Sequence, residues 1–231
     1  PFSRTPPPPP PTRHGVRRQR QMCIRDSFRP LPDVRRRPGR LITTASADVA
    51  LKGLSYLLEA MAKLRTERDI TLTSIRKPKP GKSMRLIDEL GLSEHIEFVS
   101  GVPDERIVEL YSEAELAVVP SLYEGFSLPA IEAMCSGTPL VATDGGALPE
   151  VTGTDGETVL QCPAGDSDAL AVQIARGLDD PALRDRIGHA GRQRVIERWT
   201  WRRCAELTIE QYREVLSMPA NVAKLRRNGR L

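Results

Sequence analysis

The chain has 231 residues, 39% of them hydrophobic, which is enough to bury a real core. It has no apolar run long enough to cross a bilayer and no charged-then-apolar leader with a small-residue cleavage site. The formal charge of +4 is uneven, with eleven Arg against two acids in residues 1–40 and 23 basic against 28 acidic residues thereafter, so the acidic body is a poor partner for a phosphate backbone.

In chain order, residues 1–27 come first, a tail with almost no apolar content and no helical or strand period. Its six prolines at residues 6–11 suit a short polyproline II rod, and the tail is expected to be disordered. A proline-rich ligand and a basic arm are two readings of it. A third rests on residues 20–27, "RQMCIRDS", which resemble the translated end of an adapter used in sequencing libraries and imply that the natural sequence begins near Phe28. Residues 28–40 read as a linker.

From Arg40 onward, short β-branched runs alternate with amphipathic helical patterns, the signature of βα units over a parallel sheet. Strands are expected at residues 41–45, 70–75, 96–100, 116–120 and 139–144, with 157–162 at an edge. Helices are expected at about 51–64, 82–91, 104–113, 128–136, 166–178, 181–197 and 200–217. Pro103 with Asp104, and Asp166, mark helix starts, while Gly137 and Pro139 stop the helix carrying Glu132. The fold class is α/β, a Rossmann-like parallel sheet with helices on both faces. The domain spans residues 41–199, the last helix 200–217, and a tail 218–231. A ligand belongs at the carboxyl ends of the strands.

The four cysteines, Cys23, Cys135, Cys162 and Cys204, and the three histidines, His14, His95 and His189, lack the spacing of a zinc site, a disulfide framework or a His-based triad. The loops after strands therefore carry the chemistry. "SLYEGFSLPAIEAM", residues 121–134, places Glu124 and Glu132 with seven residues between them. Ser127 is suited to cap the helix and Pro129 to its first turn, leaving the backbone N–H groups of Phe126, Ser127 and Leu128 as an anion site. Carboxylates beside a phosphate site must meet neutral donors, and sugar hydroxyls are such donors. Alternatively, both complement the helix amino end or face solvent.

Residues 118–151, "VVPSLYEGFSLPAIEAMCSGTPLVATDGGALPEV", resemble the donor-sugar motif of retaining glycosyltransferases of family 4, two-domain enzymes of the GT-B fold. The ordered set includes Pro120, Gly125, Phe126, Pro129, Ala133, Gly137, Pro139, Gly145, Gly146 and Glu150 beside the two acids. The resemblance covers residues 28–217 and only the C-terminal, donor-binding half of those enzymes.

It implies that Glu124 contacts the transferred sugar and Glu132 the ribose, with Phe126, Ser127 and Leu128 on the pyrophosphate. Lys52 would neutralise the departing β-phosphate, Val102 would pack by the nucleobase, and Gly145 and Gly146 would flank the pocket. Two positions depart from the family pattern. Ser46 and Ala47 stand where an Arg often precedes the Lys, and Arg76 stands where a Gly commonly ends the second strand.

By the same resemblance no metal or cofactor is needed, and the partners are a nucleotide-diphosphate sugar and a sugar or lipid acceptor bound through an N-terminal domain missing from this chain. The chain alone would bind a donor weakly and transfer nothing, and Trp199 and Trp201 would be partly stranded on an exposed apolar patch facing the missing half. No nucleic acid and no transmembrane segment are implied. The expected location is cytoplasmic, peripheral at the inner face of the membrane in the full-length enzyme. A nucleotide-sugar epimerase of the same architecture, or an inert nucleotide-sugar-binding fragment, stands as the alternative.

Overall fold

The computed structural model describes residues 27–44, 49–76, 80–219 and 227; expectations for residues 1–26, for Ser46 and Ala47, and for residues 220–226 and 228–231 lie outside them. Six strands form one parallel sheet: β1 Arg37–Thr43, β2 Thr71–Ile75, β3 Ile96–Val99, β4 Ala114–Val119, β5 Leu140–Thr143 and β6 Leu160–Cys162. Their order is β3-β2-β1-β4-β5-β6, which puts β6 at an edge as its sequence suggests.

The helices are α1 Leu54–Leu64, α2 Lys82–Glu89, α3 Asp104–Glu113, α4 Leu128–Cys135, α5 Leu148–Thr152, α6 Ser167–Asp179, α7 Pro181–Arg198 and α8 Trp201–Ser217. Helix α5 escapes the sequence reading because five residues with a Pro in the first turn show no helical period. Carboxylate caps hold other starts: Asp166 accepts from Asp168 N and Ala169 N, and Asp180 from Leu183 N.

Side chains alternate across the pleat, so the central strands β1, β4 and β5 feed two cores. On one face Leu41, Leu116, Val118 and Val141 meet the buried sides of α1 and α6. On the other, Ile42, Ala117, Val119 and Ala142 meet α3, α4 and α5. Each fully buried Leu or Ile contributes about 2 kcal/mol, whereas an exposed ion pair contributes about 1 kcal/mol or less. The two apolar layers therefore dominate stability.

Strand β1 begins at Arg37, four residues before the expected start at Leu41; within residues 28–40 Phe28 is buried and most of the others are exposed. Arg37, Pro38, Gly39 and Arg40 carry no apolar signal, so tertiary contacts alone make them strand. Gly39 N donates to Glu115 Oε2 at 2.6 Å, and Arg40 bonds Glu113 at 2.7 Å and also Glu97. The β1–β4 register shifts between Arg37 and Leu41. Gly39 sits there at φ +71°, and a Cβ on it would lie 2.2 Å from Asp69 O. Upstream, Phe28 is buried with its ring edge-on to Tyr111 at 6.1 Å, and Cys135 Sγ donates to Phe28 O at 2.8 Å.

Helix α3 passes into β4 with no residue between them, Glu113 ending one and Ala114 beginning the other. Burial pushes the Glu113 carboxyl up, but the hydrogen bond from Arg106 and the charges of Arg106, Arg37 and Arg40 outweigh it and leave the group below its ordinary value. Helix α8 has no buried residue, and Trp201, Leu207, Ile209, Tyr212, Val215 and Leu216 are exposed on it. Among the described residues no helix is long and apolar enough to cross a membrane.

Candidate functional site

In a sheet of this order the strand connections change direction between β1 and β4, and the crevice lies outside their carboxyl ends. Two loops meet there. The first runs from β1 into a 3₁₀ turn, Ala50–Lys52, and the second leaves β4 at Pro120. Leu122 N donates to Leu51 O at 2.8 Å and ties them together. Gly53 sits at φ +66°, and a Cβ on it would fall 1.8 Å from Pro120 O, so the two backbones touch at a point where only glycine fits. This left-handed residue also separates Lys52 from α1. The sequence places Lys52 in the first turn of a helix; it occupies the 3₁₀ turn before it.

Lys52 and Glu124 meet directly. Lys52 Nζ donates to Glu124 Oε1 at 2.7 Å and to Oε2 at 2.9 Å, and Ser121 Oγ donates to Oε1 at 2.7 Å. Glu124 is buried, while the Lys52 side chain keeps 32% of its surface in solvent. The Glu124 backbone is pinned by Gly145 O, which accepts from its N–H at 3.3 Å, and by Ala147 N, which donates to its carbonyl at 2.8 Å. A Cβ on Gly145 would lie 2.6 Å from Leu122 O, and one on Gly146 2.4 Å from Glu124 O. The paired glycines are thus required by close approach. Ser121, fixed in turn by the Thr143 hydroxyl on its carbonyl, was not singled out from sequence. Its only signal is a place three residues before Glu124.

At the start of α4 the structure corrects one expectation. Ser127 holds the cap position but its side chain makes no capping bond. Its backbone lies at φ +67°, ψ 81°, outside the extended region that aims a cap oxygen at the first free N–H groups. The hydroxyl is buried and has no partner among the described residues. Pro129 lies in the first turn as expected. The N–H groups of Phe126, Ser127 and Leu128 donate to no acceptor among the described residues, so this helix end presents free donors along its positive dipole. Gly125 is exposed beside them, and the Phe126 ring stands edge-on to Trp199 at 5.0 Å. Trp199 is thus half-buried against Phe126, and Trp201 is exposed.

Glu132 lies one turn inside α4, half-buried, with its Oε2 3.5 Å from the Tyr111 hydroxyl. Burial first, and the Glu132 charge second, push the Tyr111 phenol well above its ordinary value. Val102 is half-buried beyond the end of β3, two strands from β1 in the sheet, and is the site residue placed farthest along it. Between them, at the end of β2, Arg76 adopts φ +98° while its N–H continues the ladder to Val99 O at 2.7 Å. Among the described residues no cluster of three or more His, Cys, Asp or Glu could hold a metal ion.

A parallel sheet of this order, with a Lys–Glu pair and a free helix amino end at its switch point, defines an α/β domain of the Rossmann type. Residues 35–194 match the family described as glycosyl transferases group 1, and the chain belongs to that family. It is 47% identical over 182 residues to the MMP α-(1→4)-mannosyltransferase of Mycolicibacterium hassiacum, covering 78% of this chain and 44% of that protein. It is 32% identical over 184 residues to a D-inositol 3-phosphate glycosyltransferase of Streptomyces bingchenggensis, covering 77% of this chain and 40% of that one.

Among solved structures, sucrose-phosphate synthase from Thermosynechococcus elongatus superposes with a TM-score of 0.72 at 30% identity, over 83% of this chain and 50% of that chain. Alr3699/HepE from Anabaena, solved with UDP and glucose, shares the fold with a TM-score of 0.65 at 23% identity, over 78% of this chain and 48% of that one. The chain thus spans a little under half the length of these two curated relatives.

Proposed function

We propose that this chain is the donor-binding half of a retaining glycosyltransferase of family 4 with the GT-B fold. The reading is carried by Ser127: a buried hydroxyl without a partner among the described residues stands at a helix end whose N–H groups are also unbonded there, three residues after the Glu124 that holds Lys52. A diphosphate meets all of these groups at once. Phe126, Ser127 and Leu128 hold the pyrophosphate, and Lys52 neutralises the β-phosphate as charge develops on the leaving group. Glu124 accepts from hydroxyls of the transferred sugar and Glu132 from those of the ribose. Val102 packs by the nucleobase, while Gly145 and Gly146 keep the Glu124 loop close. No metal takes part and no protein nucleophile is assigned.

The acceptor, a sugar or a lipid, is bound by a further domain of the longer enzyme, and the apolar side of α8 packs on that domain. The substrates are handled in the cytoplasm. Calorimetric titration with UDP, GDP and their glucose and mannose conjugates tests the donor site. One nucleotide is bound in preference, and Glu132→Ala loses that preference. Absence of saturable binding, or an unchanged affinity in Glu132→Ala, refutes the assignment.

A further inference from the structure

The Lys52–Glu124 contact raises a difficulty for any ligand entering this site. Glu124 Oε1 already accepts from Lys52 and Ser121, and Oε2 from Lys52, so three of its four lone-pair directions are used. Lys52 is the more exposed member of the pair. A sugar that donates two hydrogen bonds to Glu124 must displace Lys52, and a phosphate that accepts from Lys52 must draw it from Glu124. The carboxylate does not leave with it. Ser121 holds the carboxylate, and Gly145 O and Ala147 N hold the Glu124 backbone.

Resting on the donor-site reading above, we propose that Lys52 and Glu124 form a clasp that opens for the sugar nucleotide and closes again on the sugar-free nucleoside diphosphate. With the donor bound, the sugar hydroxyls occupy Glu124 and release Lys52 to the β-phosphate. Once the sugar has moved to the acceptor, Glu124 has lost its partners and competes for Lys52. Each hydrogen bond it regains is one that the diphosphate loses. Glu124 thereby lowers affinity for the product while sustaining affinity for the donor, and it promotes nucleotide release after each turnover.

The test is titration of the chain with UDP and GDP, without sugar, in the wild type, Glu124→Gln, Lys52→Gln and the double variant. Gln keeps the shape of Glu and a partner for Ser121 but holds an ammonium weakly. The affinity of Glu124→Gln for the preferred nucleoside diphosphate is expected to rise roughly three- to tenfold, the worth of a partly exposed ion pair. In the Lys52→Gln background the same change brings no gain.

Glu124→Asp, which keeps the charge but draws it away from Lys52, shows a smaller gain in the same direction and serves as the second variant. An unchanged or weaker affinity in Glu124→Gln overturns the clasp. So does a gain that persists without Lys52, because Glu124 would then act by direct repulsion. Failure of every protein to bind any nucleotide refutes the donor site itself, and the clasp with it.

Discussion

Arg76 offers a direct measure of backbone strain. It is a side-chain-bearing residue at φ +98°, at the end of β2, with its N–H fixed to Val99 O at 2.7 Å and its side chain exposed. For an L-residue the left-handed half of conformational space costs about 1–2 kcal/mol. Glycine escapes that cost but loses about 0.5–1 kcal/mol more chain entropy on folding. No side-chain bond of Arg76 is lost among the described residues, so Arg76→Gly should stabilise by about 0.5–1 kcal/mol.

For a domain of this size that corresponds to a rise of about 1–4 °C in melting temperature. Urea denaturation followed by circular dichroism, with thermal scans alongside, measures it. Arg76→Ala is the control, since alanine keeps the strain and removes the same guanidinium. It should show no gain and stay about 1 kcal/mol below the glycine variant. Equal stability of the two variants would show that conformation at this position stores no strain, and would refute the reasoning.

Two further outcomes follow from neighbouring groups. Ser127→Ala should change stability by less than about 0.5 kcal/mol, where loss of a true N-cap costs about 1 kcal/mol, because its hydroxyl caps nothing. The same variant should weaken nucleotide binding several-fold, which calorimetry reads alongside the melting curve. Glu113 supplies an acid-range signature. Its carboxyl lies below the ordinary 4.5, so its stabilisation is complete above that pH and is lost as pH falls through the lower folded value. Thermal melts between pH 6 and 3 should fall less steeply for Glu113→Gln than for the wild type.

What could be read from sequence was whatever depends on local pattern. Leu54, Leu57, Leu58 and Met61 repeat at helical spacing, and α1 ends at Leu64 as expected. Asp166 announces α6 because an Asx cap is a local interaction. The paired glycines at 145 and 146 were read only through the resemblance, as residues flanking the pocket. Their role depends on Leu122 and Glu124 carbonyls that approach from another loop.

The first half of β1 was hidden for a related reason, since its partners Glu97, Glu113 and Glu115 lie 57 to 76 positions away and carry no apolar signal. At Ser127 the composition of a capping residue was present but the backbone geometry was not, and φ is a property of the assembled turn. Arg76 shows the reverse case. A departure from an expected glycine predicted a backbone demand that the fold displays.

The seamless passage from α3 to β4 makes the helix a ruler for the crevice. Every residue between Asp104 and Glu124 is counted, because no slack segment separates the helix from the strand that delivers Ser121 and Glu124. One residue added within α3 would swing its end by about 100° and exchange the two faces of β4, sending Leu116 and Val118 where Ala117 and Val119 now pack. Length variation tolerated in evolution or by engineering should therefore be absent from this span and gather in the connections that touch no strand register.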